Sequence, residues 1–124
     1  MPEFEEDLEK KLKYFGRHII QDRRDETPIY VVITVRVNDA KEWTTRAVGW
    51  FPTFEEAKEI ITDNIGDIYE AGYYKYALIE QTPPGLYSWK QEWWFEWEGN
   101  FQDGKYEPIE KPELFEHVVC FGLG

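Results

Sequence analysis

The chain holds very few of the residues that carry nucleophilic or metal chemistry. Its 124 residues include one cysteine, Cys120, one serine, Ser88, and two histidines, His18 and His117. A lone cysteine excludes an internal disulfide and a Cys-based zinc site, and it suits a reducing compartment. Cys120 sits in the apolar run Val118-Val119-Cys120-Phe121 with no adjacent cation, the setting of an inert thiol. Ser88 has no G-x-S-x-G context. The histidines lie far apart and outside any H-x-x-x-H spacing, so no metal is expected. A P-loop and a Rossmann glycine pattern are also missing, Gly99 and Gly104 reading as turn glycines, so no cofactor is expected. The start, Met1-Pro2-Glu3-Phe4-Glu5-Glu6, has neither the basic nor the apolar region of a signal peptide. No apolar run approaches the length of a membrane span, and the cytoplasm is the expected location.

Positive charge is scarce as well. Fourteen Lys and Arg stand against 25 Asp and Glu, a formal net charge of −11. Phosphate backbones and anionic membranes need Lys and Arg to displace their counterions, so neither direct DNA or RNA binding nor membrane binding is expected. The acidity has two readings. One is plain solubility; the other is an acidic surface that docks on a basic partner.

What the chain has in plenty is apolar and aromatic residues: 42% hydrophobic, with 6 Trp, 8 Tyr and 8 Phe. That is the composition of a globular core. Phe4, Leu8, Leu12 and Phe15 fall on one helical face over residues 3–15. Residues 29–37 and 43–51 read as a β-hairpin closed at Asn38-Asp39-Ala40-Lys41. Thr53-Phe54-Glu55-Glu56 is a capping box that starts a central helix, with Phe54, Ala57, Ile61, Ile65 and Ile68 as its buried stripe. Residues 72–80 and 89–98 follow as strands, Asp103-Gly104 signals a turn, and Lys105-Tyr106-Glu107 returns as a short strand. The expected fold is α+β: a single antiparallel sheet of about four to five strands, with an N-terminal helix and one central helix packed on one face. One domain over 1–124 is expected, residues 1–28 being a helix-plus-loop extension and 29–124 the sheet-and-helix core.

Candidate sites come from strand alternation. With an unbulged hairpin, Arg36 lies near Thr44, Thr34 near Arg46, and Tyr30 near Trp50. Arg36, Arg46, Trp50 and Tyr30 then share one face, a set able to hold a phosphate and stack a base. The plainer reading is a half-solvated sheet face. On the fourth strand, Trp89, Trp93, Phe95 and Trp97 point to the core, while Glu92, Trp94, Glu96 and Glu98 point the other way. An exposed Trp94 among carboxylates marks a partner-docking anchor, and burial under a helix or in an oligomer is its alternative. Paired carboxylates are the one enzymatic chemistry left open, a hydrolase acting on a carbohydrate or nucleotide. No residue is singled out as catalytic.

A longer pattern runs through Gly49-Trp50-Phe51, Phe54-Glu55-Glu56-Ala57, Tyr76-Ala77-Leu78-Ile79-Glu80, Pro84-Gly85-Leu86-Tyr87, Trp94-Phe95, Pro108-Ile109-Glu110-Lys111-Pro112-Glu113 and Phe121-Gly122. It is similar to a group of small proteins of bacterial and prophage genomes that have no assigned activity. The resemblance implies a phage or mobile-element setting, where a small acidic protein blocks a host immune component. The partner is then a host protein with a basic surface, or a small nucleotide signal held by the Arg and aromatic face. A homo-oligomer joined at Trp94 is a further, purely structural reading.

Overall fold

A computed structural model describes residues 27–83, 91–118 and 121. The first expected helix, His18 and Cys120 lie outside the described residues. Five strands form one antiparallel sheet: β1 (Ile29–Val37), β2 (Trp43–Phe51), β3 (Tyr76–Thr82), β4 (Gln91–Glu98) and β5 (Lys105–Ile109). Their spatial order is β2-β1-β3-β4-β5. One helix, α1 (Phe54–Thr62), links the first hairpin to the rest of the sheet. The α+β reading, with a single antiparallel sheet and a helix against it, is the observed architecture.

Local chemistry accounts for the element boundaries. Asn38 closes the first hairpin, its side-chain oxygen accepting the Glu42 N–H at 2.9 Å. Thr53 caps α1 by accepting the Glu56 N–H at 3.2 Å. The helix stops at Thr62, earlier than the apolar stripe suggests, so Ile65 falls outside it and is exposed while Ile68 is still buried. The β4–β5 connection is not a two-residue Asp-Gly turn. It is a loop organised by Asn100, whose side-chain oxygen accepts the Gln102 and Asp103 N–H groups and whose carbonyl accepts from Gly104. A Cβ on Gly104 would run into the Asn100 carbonyl and the Trp97 indole nitrogen, so only glycine fits there.

Both faces of the sheet carry a core. On one face α1 packs Ala57 and Ile61 over Val32, Ala77, Ile79, Phe95, Trp97 and Tyr106. Trp97 is stacked on Tyr69 at 3.7 Å, and the Tyr106 hydroxyl donates to the Tyr74 carbonyl at 2.8 Å. On the other face Val31, Ile33, Val35, Leu78 and Trp94 lie under Phe115 and Phe121. No helix covers that second face among the described residues. The segment after β5 folds back across it, through a single 3-10 turn at Glu113–Phe115.

Tyr106 supplies a test of the helix-side core. Burial first, then repulsion from Tyr69, Asp67 and Glu70, raises its phenol far above the ordinary value of 10.0. The unfolded chain therefore ionises first, and stability held below that pH is lost as the pH rises beyond it. Urea titrations from about pH 8 to about pH 11 should show a falling limb that Tyr106→Phe makes shallower. At about pH 8 the same variant should be less stable by about 1 kcal/mol, because the Tyr74 carbonyl loses its donor. An identical alkaline slope in both proteins would assign the limb to another group.

Candidate functional site

The register of the first hairpin decides the fate of the Arg and aromatic set. Arg36 faces Thr44 and Thr34 faces Arg46, as alternation predicts. Between Val32 and Ile33 the pairing shifts, from Val32 opposite Gly49 to Ile33 opposite Ala47, so Val48 is an extra, bulged residue. Tyr30 therefore faces Phe51, and Trp50 lies opposite Val31, on the other face of the sheet and 62% exposed. The expected four-residue pocket is not formed. Arg36 lies over the Tyr73 ring at 4.6 Å. Arg46 pairs with Glu70 at 3.0 Å, beside a groove of about 310 Å³ that also borders Val48, Phe51 and Ile60. Tyr30 packs against Phe54 and Trp93, and its hydroxyl accepts from Gln81.

The second candidate set also needs correction. Trp94 does share a face with Glu92, Glu96 and Glu98, but it is only 3% exposed. Its ring stacks on Phe115 at 5.1 Å and meets Phe121 edge-on at 5.2 Å. The reason is the returning segment, which covers the face that its carboxylates mark as solvated. Two of those carboxylates each hold a lysine. Glu92 pairs with Lys111 at 2.8 Å and Glu96 with Lys75 at 3.6 Å, while Glu107 on β5 has Lys105 at 3.4 Å. Glu98 alone of the expected docking residues is exposed.

One buried carboxylate was missed by sequence reasoning. Glu80 is 1% exposed and stands directly opposite Glu92 across β3 and β4. Its carboxylate accepts the Phe121 N–H at 2.7 Å. Pairing the third and fourth strands residue by residue would have placed two carboxylates together here. At Glu80 the surrounding run of apolar residues hides that signal.

A cleft opens where β5 leaves β4. The last paired residues are Trp94 and Ile109. Upstream, Gln91, Glu92 and Trp93 have β3 on one side and no strand on the other among the described residues. The resulting cleft holds about 600 Å³. Phe54, Trp93, Phe95, Pro108 and Ile109 give it apolar walls, with Phe54 and Trp93 at 4.6 Å between ring centroids. Lys58, Gln91, Glu92, Glu110 and Lys111 supply its polar groups. A mostly apolar concavity with a few convergent polar groups is the usual form of a binding site. No group of three His, Cys, Asp or Glu side chains suited to a metal occurs among the described residues, and no described helix is long and apolar enough to cross a membrane.

The two lysine pairs should respond differently to removal of the cation. Lys111→Met leaves Glu92 charged and largely buried, and should lower unfolding stability by about 2 kcal/mol. Lys75→Met acts on a largely exposed pair and should change it by less than about 0.5 kcal/mol. Urea denaturation of both variants checks the ranking; equal losses would mean that Glu92 is not shielded from water.

Comparison with protein-family models, with curated proteins and with solved structures finds no match, so the functional argument rests on the geometry of this cleft.

Proposed function

We propose that the chain is a non-enzymatic binding protein that takes an extended segment of a partner protein into the cleft beside Gln91–Trp93. The observation that carries this reading is the stretch of β4 edge, Gln91 to Trp93, that among the described residues has β3 on one side and no strand on the side β5 has left. An exposed strand edge recruits a further strand through backbone hydrogen bonds, and adjoining pockets select its side chains. Elsewhere the sheet edges are blunted. The β2 edge carries the Val48 bulge, and the β5 edge carries Pro108, which has no N–H to offer.

A side chain of the incoming segment would sit against Phe54 and Trp93. Lys58 and Lys111 balance Glu92 and Glu110 around the opening, so contact there depends on shape and apolar area more than on charge. The resemblance to prophage proteins makes a host protein the partner class to test first. The nucleotide reading draws no support from Arg36, Arg46, Trp50 and Tyr30, which do not converge. The hydrolase reading draws none from Glu92 and Glu96, which flank a buried Trp94 and each hold a lysine.

The test is selection of binders from a random linear-peptide library, followed by NMR of the labelled chain. Bound peptides should shift the amides of Gln91, Glu92 and Trp93 together with Ile109 and Glu110. Lys58→Glu and Pro108→Arg, both at exposed rim positions, should weaken binding by about tenfold or more, equivalent to about 1.4 kcal/mol. Peptides that bind both variants as well as the unmodified chain, or that shift a different surface, would rule out the cleft as the docking site.

A further inference from the structure

The cover on the second sheet face is attached unlike anything else in the fold. Every strand is tied to its neighbour by backbone pairing, and α1 is continuous between β2 and the turn that follows it. The described residues after β5, 110–118 and 121, have none of this. Their backbone bonds are local: Phe115 N–H to Pro112, Glu116 to Glu113, and Val118 to Phe115. Their contacts with the sheet are made by side chains, with one exception. Phe115 and Phe121 plug the face over Trp94, and the Phe121 N–H reaches the Glu80 carboxylate. The Lys111 ammonium then bridges Glu92 on the sheet and the Val118 carbonyl on the segment, at 2.8 and 2.5 Å.

The closed arrangement also strands polar atoms. Glu92 Oε2 and the Trp94 indole Nε1 are buried under this cover without a hydrogen-bond partner. Such groups recover hydration when a cover lifts, which offsets part of the apolar area lost. Meanwhile the helix-side core owes nothing to this segment: α1, Trp97, Tyr106 and their neighbours lie on the opposite side of the sheet.

We propose that the described residues after β5, Glu110 to Val118 and Phe121, form a detachable strap, which opens as one unit while the five-stranded sheet and α1 stay folded, and so uncovers Trp94 and the Val31, Ile33, Val35 and Leu78 face. Opening joins that face to the already exposed Trp50, which lies opposite Val31 on the same side. An apolar surface is thus held in reserve behind two phenylalanines. Glu110 and Lys111 belong to both cleft and strap, but the opening is a property of the free chain and holds whether or not a peptide binds.

Native-state hydrogen exchange of the full chain across low urea concentrations tests it. The amides of Phe115, Glu116 and Val118 should share one opening, about 100-fold more frequent than that of Val32 and Leu78, with a smaller urea dependence. Merging of both groups onto one opening with one urea dependence would overturn the strap. A second arm uses Phe115→Ala combined with Phe121→Ala. Expected are retained amide dispersion for β1 to β5 and a Trp94 newly open to acrylamide quenching. Loss of the sheet signals in that variant would show that the cover and the sheet are one cooperative unit, and would count equally against the proposal.

Discussion

The fold turns on two interior strands, β1 and β3, whose middle residues are buried on both faces. In β1 the run Val31 to Val35 is buried without a break, and in β3 so is Ala77 to Glu80. A strand with one solvated face alternates; a strand buried on both sides does not. Each fully buried aliphatic side chain contributes about 1.5–3 kcal/mol relative to exposure. Neither side of the sheet centre can therefore be left open, and among the described residues one short helix covers only one of them. The C-terminal segment is the second cover, and its two phenylalanines do what a second helix does in a larger domain.

Polar groups caught beneath that cover determine how it sits. Glu80 and Glu92 face each other across β3 and β4, and a carboxylate out of water needs donors or a cation. Glu80 takes the backbone N–H of Phe121; Glu92 takes Lys111, which also holds the Val118 carbonyl. Apolar contact between rings tolerates sliding, whereas these bonds do not. The aromatic plugs give the adhesion and the carboxylates give the position. A buried ion pair of this kind adds little net stability over a well-packed apolar pair, so its contribution is to hold one arrangement.

The sequence disclosed the strands and the helix start well, because each has a local cause. Seven β-branched residues among nine make β1, and Thr53 with Glu56 makes the entry to α1. What it hid has causes that are not local. The Val48 bulge changes the side of Trp50 without any residue type announcing it, and a one-residue slip is enough to dismantle a four-residue site. Trp94 looked exposed because Glu92 and Glu96 flank it. That inference fails when lysines from other segments, Lys111 and Lys75, neutralise the carboxylates. Even so, β1 carried a warning. Between Val31 and Val35 it has no charged residue on either face and only Thr34 is polar, and a sheet with a helix on one side alone leaves half of that run uncovered.

The cleft and the strap have a common origin in the lengths of the last two strands. The Asn100 loop sets Glu98 opposite Lys105, and from there β5 pairs only as far as Ile109. Because β4 begins at Gln91, its first three residues outrun their partner. The chain must leave the sheet at Glu110, and Pro112, with its extended backbone, carries it toward the opposite face. That departure opens the cleft and launches the strap in one step. It also puts Lys111 in both: its side chain borders the cleft, and its ammonium fastens Val118 to Glu92. An occupant of the cleft influences the strap only by binding its open and closed forms unequally. Lys111 is the contact through which such a difference could arise, since it is the group that both the occupant and the strap can touch.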